Sequence, residues 1–323
     1  MRSRILIFTA WFASYLVGGL TIFLIGCQVK PTKVYQSVPT QAKESGGPLV
    51  ITPQTVVLDA RPAFDYALAH INGSFNMQWD DFSQRQEPFR GLLEVELYSH
   101  TRRLARLGIG PDTPVVVVGR GSLGGGEEGR LAWTLRYLGV RNVRFSQISY
   151  FSLPMSQAEA PPRESQPSWK PELDQTLIVE MADFLKGVAI PKISNDAPII
   201  LDVRSLDEYL RRGTTAFSRQ YGTQEPDVGA IHIPWFEFFD EKGIAKKEVL
   251  SQLQEIGVTT NREILVICTQ GVRSAAVTLA LRDLGFAKTK NFAGGFRQLV
   301  LDRSSSSKTN QSRKTNSSHK TKK

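Results

Sequence analysis

The chain has 323 residues, of which 41% are hydrophobic and 22% are charged, so its length and composition predict about two globular domains. The net charge of +9 comes mostly from residues 303–323, which contain seven Lys or Arg and no acidic residue. The rest of the chain has a net charge of +2, and we expect no specific nucleic-acid partner. Residues 304–323 have almost no apolar side chains and are predicted to form a disordered basic tail.

The N-terminal segment has the pattern of a secretory signal. Two arginines precede an apolar stretch at residues 5–26, and residues 24–27 resemble the bacterial lipobox, whose cysteine is lipidated and becomes the new N terminus. We therefore predict a signal peptide at 1–27 with lipidation of Cys27, which attaches the protein to a membrane outside the cytoplasm. An uncleaved single-span anchor is the alternative, because about 20 apolar residues can cross a bilayer. Residues 28–47 then form a flexible tether.

An internal repeat divides the rest of the chain. Residues 56–61 recur at 199–204, and residues 73–79 match 229–235. Each half alternates short β-branched runs with segments of helical spacing, which predicts a mainly parallel sheet flanked by helices. The second half also carries an insertion at 211–227, whose Gly, Thr, Gln and Pro content predicts a surface loop. The predicted boundaries are a first domain at 48–153, a linker at 154–176 and a second domain at 177–303.

Cys268 ends an apolar run at residues 264–267 and precedes a helical pattern that begins at Ser274. The residues between them are predicted to form a tight strand-to-helix loop. The backbone N–H groups of this loop, the positive end of the helix and the guanidinium of Arg273 favour a thiolate, so Cys268 is a candidate nucleophile. A small buried hydrophobic side chain is the alternative at this position. Because the other cysteine, Cys27, has its own context, we expect no structural disulfide.

Several motifs together resemble a known family. Leu-Asp-x-Arg ends an early strand in both halves, at residues 58–61 and 201–204. Residues 70–76, the segment Cys-x-x-Gly-x-Arg-Ser that begins at Cys268, and residues 291–296 follow in the order of the family pattern. The chain between its tether and its tail resembles the rhodanese family of sulfurtransferases. This resemblance implies an α/β fold of two rhodanese-like domains, each a mainly parallel sheet flanked by helices.

The resemblance implies a thiosulfate sulfurtransferase that needs no cofactor and no metal. Cys268 would attack the sulfane sulfur of thiosulfate, or of a polysulfide or persulfide, and hold it as an enzyme persulfide. The sulfur would then pass to cyanide, glutathione or a thioredoxin-like thiol acceptor. The other loop residues would hold the anionic sulfur through their N–H groups. They are Thr269, Gln270, Gly271, Val272, Arg273 and Ser274.

Charged residues near the loop are expected to support it. Arg273 attracts the thiosulfate dianion or pairs with a carboxylate, and Asp202 is the expected carboxylate because it ends the neighbouring strand at the same sheet edge. We predict that Asp202 and Arg204 brace the loop rather than react. His232 is expected to be a packing histidine.

The first half differs at the position that matches Cys268. Gly119 stands there, followed by a Gly-rich segment and by Glu127 and Glu128. This segment lacks the Gly-Lys-Ser/Thr spacing of a phosphate loop, and its two carboxylates would repel phosphate. Without a thiol, the first domain is expected to be catalytically silent, to pack against the second domain and to shape its cleft.

Two other functions remain open. Related enzymes dephosphorylate proteins or reduce arsenate, but their loop places the arginine after five intervening residues, whereas four residues separate Cys268 from Arg273. A membrane-tethered rhodanese-like binding module is the second alternative, and an intact nucleophile disfavours it. Mercaptopyruvate is a less favoured sulfur donor, because that subgroup has a loop similar to Cys-Gly-x-Gly-Val-Thr, whereas this chain has Thr269 and Arg273.

Overall fold

The computed structural model describes residues 49–304, except 87–88, 90, 195 and 212–214. All of these residues belong to one compact unit. The predicted signal segment with Cys27, the tether at 28–47 and nearly all of the basic tail lie outside the described residues. Their assignments stay predictions.

The first half is built on a parallel sheet. Its elements in chain order are β1 (Val56–Asp59), α1 (Ala63–Leu68), β2 (His70–Ile71), β3 (Phe75–Asn76), α2 (Tyr98–Arg106), β4 (Val115–Gly119), α3 (Glu127–Tyr137), β5 (Val143–Gln147) and β6 (Met155–Ser156). The sheet has the order β3-β1-β4-β5, and every neighbouring pair is parallel. Strand β6, at the start of the predicted linker, pairs antiparallel with β2.

The second half repeats this arrangement. Its elements are α4 (Met181–Ala189), β7 (Ile199–Asp202), α5 (Leu206–Leu210), α6 (Ala216–Tyr221), β8 (Ile231–His232), α7 (Val249–Glu255), β9 (Ile264–Ile267), α8 (Val272–Asp283), β10 (Thr289–Asn291) and α9 (residues 295–304). The sheet order is β10-β9-β7-β8, again with parallel pairs. Short 3-10 helices lie at Trp79–Phe82, Gly121–Leu123, Ile148–Tyr150, Gln175–Leu177 and Trp235–Phe238. The predicted fold of two α/β domains is confirmed.

The central strands are buried on both faces. All four residues of β1 and of β9 are buried, and so are all five of β4. Parallel strands covered by helices have this continuous apolar pattern rather than an alternating one. Each Val or Ile removed from water in this way contributes about 1.5–3 kcal/mol to folding.

Helices α3 and α8 pack against each other where the two halves meet. Both helices are buried on nearly all sides, since each covers its own sheet and contacts the other helix. A side chain at Gly129 would collide with Ala276, so a glycine is required for this close approach. The first turns of the helices are neighbours, because a Cβ added to Gly126 would lie 3.4 Å from the Cα of Arg273. The loop before α8 therefore lies at the boundary between the two domains.

The insertion at 211–227 is not the surface loop predicted from its composition. It contains helix α6, which begins after Thr215, whose Oγ1 accepts a hydrogen bond from the backbone N–H of Ser218. Near its end, Glu225 is buried and accepts hydrogen bonds from Arg204 and Thr215. The prediction was wrong because composition does not show that a charged side chain has a partner in the core.

Candidate active site

Cys268 lies directly after β9 and before α8, with only 1% of its surface exposed. Its Sγ is 3.3 Å from the Oγ of Ser274, in the first turn of α8. The loop can approach the segment before α9 closely because of two glycines with positive φ. Gly271 has φ 77°, and a side chain there would collide with the backbone of Ala293. Gly295 has φ 58°, and a side chain there would collide with the carbonyl O of Cys268.

The surroundings of Cys268 stabilise a thiolate. Burial raises the pKa of the thiol, but the charge of Arg273, the hydroxyl and backbone N–H of Ser274 and the backbone N–H of Gln270 lower it. The net pKa is below the ordinary value of a cysteine. The loop therefore provides the hydrogen-bond donors and the charge that a thiolate nucleophile needs.

Arg273 is paired with Glu208, not with Asp202 as the sequence predicted. Its Nη1 donates to Glu208 Oε2 at 2.6 Å, and its Nη2 donates to Glu208 Oε1 at 2.8 Å and to Thr269 Oγ1 at 2.9 Å. Burial raises the pKa of Glu208, but the hydrogen bonds and charge of Arg273, together with hydrogen bonds from Ser205, lower it to about 2. The carboxylate is therefore ionised at neutral pH and holds the guanidinium in place. Asp202 was the wrong partner because the strand edge shows which residues are near, not where their side chains point.

Asp202 and Arg204 form a separate buried ion cluster. The Nε and Nη2 of Arg204 donate to the carboxylate of Asp202 at 2.8–3.1 Å, and its Nη1 donates to Glu225 at 2.8 Å. The guanidinium Cζ also lies 3.8 Å from the ring centroid of Phe296, whose backbone N–H donates to the carbonyl O of Cys268. Contact with the loop that holds Cys268 is thus through Phe296, and a bracing role for Asp202 and Arg204 stays a prediction.

His232 lies at the end of β8. Its Nε2 is 2.9 Å from the carbonyl O of Arg204, and its ring stacks on Tyr209 at 4.4 Å between centroids. Both contacts are those of a packing residue.

A model of the Rhodanese-like domain matches the chain twice, over residues 47–152 and 189–301. The chain belongs to the rhodanese family. The thiosulfate sulfurtransferase of Pseudomonas aeruginosa is 24% identical over 273 residues, which cover 82% of this chain and 95% of that protein. The 3-mercaptopyruvate sulfurtransferase of Escherichia coli is 25% identical over 271 residues, which cover 76% of this chain and 89% of the other.

Solved structures have the same fold. The crystal structure of a 3-mercaptopyruvate sulfotransferase from Escherichia coli superposes with a TM-score of 0.60 at 22% identity, and covers 75% of this chain and 93% of that one. An anaerobic ergothioneine biosynthesis enzyme from Chlorobium limicola gives a TM-score of 0.61 at 17% identity. This match covers 78% of the present chain and 63% of the longer enzyme. At these identities the structural likeness establishes the rhodanese fold alone.

The first rhodanese-like domain has a carboxyl group in place of the thiol. Gly119, the last residue of β4, matches Cys268, which follows β9 directly. A side chain at Gly119 would collide with the carboxyl group of Glu128. Burial raises the pKa of Glu128 to about 8, with a smaller increase from Glu127. Its Oε2 has no hydrogen-bond partner within the described part of the chain. A neutral carboxylic acid therefore fills the space that corresponds to the cysteine.

Sequence reasoning missed two residues of the rhodanese site, Glu208 and Arg130. The pattern Ser205-x-x-Glu208 is a capping box that could have located the start of α5, but not the partner of its carboxylate. Arg130 is a charged residue inside the apolar pattern of α3, which indicates burial without showing the reason.

Residues 49–304, with their gaps, contain no group of His, Cys, Asp and Glu that could hold a metal ion. No helix in this range is both long and apolar enough to cross a membrane.

Proposed function

We propose that this rhodanese is a sulfurtransferase that moves sulfane sulfur from thiosulfate, or from a polysulfide or persulfide, to cyanide or a thiol acceptor. The observation that carries the proposal is the buried Cys268 with a lowered pKa, surrounded by N–H donors and a fixed arginine. The relatives that share most of the chain are sulfurtransferases, which supports the same reaction class.

In the first step, the Cys268 thiolate attacks the outer sulfur of thiosulfate. A new S–S bond forms, the S–S bond of thiosulfate breaks, and sulfite leaves with the electron pair. In the second step, cyanide or a thiolate attacks the outer sulfur of the enzyme persulfide and releases the Cys268 thiolate. The N–H groups of the loop stabilise the negative charge on sulfur in both steps.

The hydrogen-bond donors around Cys268 suit a single sulfur atom better than a larger tetrahedral group. Ser274 lies within hydrogen-bond distance of the Cys268 Sγ, and both nitrogens of the Arg273 fork are already bound to Glu208 and Thr269. A tetrahedral phosphate would need such donors for its oxygens. This arrangement disfavours phosphatase or arsenate reductase chemistry. Thr269 and Arg273 also support thiosulfate over mercaptopyruvate as the donor.

The first domain is proposed to be catalytically silent and to support the second. The first domain contains no cysteine, and the carboxyl group of Glu128 fills the space beside Gly119 that corresponds to the position of Cys268. Its packing through α3 against α8 supports a role in shaping the cleft.

We also propose attachment to a membrane outside the cytoplasm through the N terminus, supported by the apolar stretch and the lipobox-like sequence at Cys27. Cys27→Ala should prevent labelling by a fatty-acid analogue and release the protein from the membrane fraction. Retention in that fraction without labelling would indicate a single-span anchor instead.

The two cysteines allow a matched test of the reaction. In the full chain, Cys268→Ser should abolish thiosulfate:cyanide sulfur transfer, because the nucleophile is lost, while Cys27→Ser should leave the rate unchanged. Circular dichroism checks that both variants fold. Normal transfer by Cys268→Ser would overturn the mechanism. Phosphate release from an aryl phosphate, without sulfur transfer, would favour the phosphatase alternative.

A further inference from the structure

Arg130 lies at the boundary of the two domains, with 0% of its surface exposed. It belongs to α3 of the first domain, yet its Nη1 donates a hydrogen bond of 2.9 Å to the carbonyl O of Gly271 in the loop that holds Cys268. Its Nη2 donates at 2.8 Å to the carbonyl O of Gly91, which lies beside Gln270. The guanidinium therefore connects the first domain to the catalytic loop.

Within the described residues, no carboxylate balances this buried charge. Both hydrogen-bond acceptors are neutral carbonyls, and the Nε has no hydrogen-bond partner there. The guanidinium Cζ lies 4.9 Å from the ring centroid of Trp133 and 5.7 Å from that of Trp79. Glu128, two residues earlier on the same helix, is buried, and burial raises its pKa to about 8, so it is mostly neutral at pH 7. A buried cation without a counter-ion is strongly destabilising.

The Cys268 thiolate is the anion that can balance Arg130. Burial lowers the pKa of Arg130, whereas the charge of the Cys268 thiolate raises it. By reciprocity, the same attraction stabilises the thiolate. Arg273 pairs with Glu208 and also stabilises the thiolate, whereas the hydrogen-bond acceptors of Arg130 are neutral carbonyl groups.

We propose that Arg130 is the counter-ion that the first domain contributes to the Cys268 thiolate and to its persulfide, and that it positions the loop through the Gly271 carbonyl. Its role in the reaction rests on the proposed function. The Gly271 carbonyl also accepts a hydrogen bond of 3.2 Å from Nδ2 of Asn291, so donors from both domains hold this turn. Both the thiolate and the persulfide carry one negative charge, and Arg130 matches that charge throughout the cycle. The site is complete only when both domains are present.

The test measures the ionisation of Cys268 itself. The ultraviolet absorbance of the thiolate is followed against pH in the full chain, and the curve of the same chain carrying Cys268→Ser is subtracted to remove Cys27 and the tyrosines. Other charged groups on the elements around the loop are left unchanged. They are Asp202, Arg204, Glu208, Glu225, Arg273 and Arg297.

Arg130→Gln removes the charge and keeps a hydrogen-bond donor. It should raise the pKa of Cys268 by about one unit or more, since a nearby opposite charge has an effect of this size. Arg130→Met is a second charge-free variant whose stem still packs on the tryptophans. Arg130→Lys keeps the positive charge, so the pKa of Cys268 should stay close to its wild-type value. The matched control is Arg141→Gln. Arg141 follows the C-terminal end of α3, away from the Cys268 loop, and pairs with Asp112. This variant should leave the pKa of Cys268 unchanged.

An unchanged pKa of Cys268 in folded Arg130→Gln or Arg130→Met would overturn the proposal. Equal shifts in the Lys and Gln variants would also overturn it, because they would show a packing effect rather than a charge effect. Mass spectrometry of the wild-type chain after thiosulfate treatment separates this result from the proposed function. A persulfide in the wild type, with no pKa shift in the charge-free Arg130 variants, contradicts only the counter-ion role of Arg130. A pKa shift in those variants, with no persulfide in the wild type, contradicts only the sulfur-transfer reaction.

Discussion

The two domains hold different chemical groups at the same point of the same fold. In the second domain, β9 leads to Cys268, and in the first, β4 leads to Gly119 with the carboxyl group of Glu128 beside it. Helices α8 and α3 begin after glycines with positive φ, Gly271 and Gly126. The surroundings lower the pKa of Cys268 and raise that of Glu128. The fold supplies the turn and the helix, and the side chains around them decide whether an anion is stabilised.

The largest expected effect comes from moving the thiol between domains. Gly119→Cys combined with Cys268→Ser should give no sulfur transfer, a loss of at least about a thousandfold, because the first loop has no arginine in the place of Arg273. The new side chain would also collide with Glu128 and destabilise the fold by about 1–3 kcal/mol. The thiosulfate:cyanide assay measures the loss. Transfer within a hundredfold of the wild-type rate would show that a thiol at this fold position is sufficient.

Glu128 should make the stability of the protein fall as the pH rises. Its pKa is raised by burial from 4.5 to about 8, so the folded state binds more protons than the unfolded state between these values. The free energy of unfolding should therefore decrease by up to about 4 kcal/mol from about pH 4.5 to 8. Urea unfolding of Glu128→Gln should lack this decrease.

Glu127→Gln is the matched control, because Glu127 is on the same helical turn but partly exposed. It should keep most of the wild-type pH dependence, because the charge of Glu127 adds only a smaller increase to the pKa of Glu128. If the free energy of unfolding of Glu128→Gln falls with pH as steeply as that of the wild type, Glu128 is not a neutral acid in the folded protein.

Glu208 should have the opposite and smaller effect in the catalytic domain. Its pKa is lowered to about 2, so the stability it contributes is present above about pH 4.5 and is lost as the pH falls toward 2. After allowance for its partial exposure, we expect a loss of about 1–2 kcal/mol. Glu208→Gln should lack this loss in urea unfolding, whereas Asp207→Asn, at an exposed neighbouring ion pair, should retain it. A wild-type acid profile in Glu208→Gln would contradict the pairing with Arg273.

The sequence was sufficient to predict the fold and the strand-to-helix loop at Cys268 because both depend on local patterns. Buried parallel strands have β-branched runs such as Val115–Val118, and the repeat showed that two such sheets exist. Cys268 was predicted as the nucleophile because a strand end and a helix start enclose it within a few residues, and its catalytic role stays a prediction.

The charged partners could not be predicted in the same way. Arg273 finds Glu208 on α5, and Arg204 finds Glu225 beyond α6, so these contacts depend on how distant elements pack. Arg130 reaches the loop from the other domain. Spacing along the chain gives no information on such pairs, since several carboxylates lie at comparable distances in the sequence.

Intact-protein mass spectrometry after thiosulfate treatment tests most directly whether Cys268 carries the transferred sulfur. We expect the wild-type chain to gain one sulfur atom and to lose it when cyanide is added, and the Cys268→Ser chain to gain none. No added sulfur in the wild type, or an equal addition in Cys268→Ser, would contradict the account.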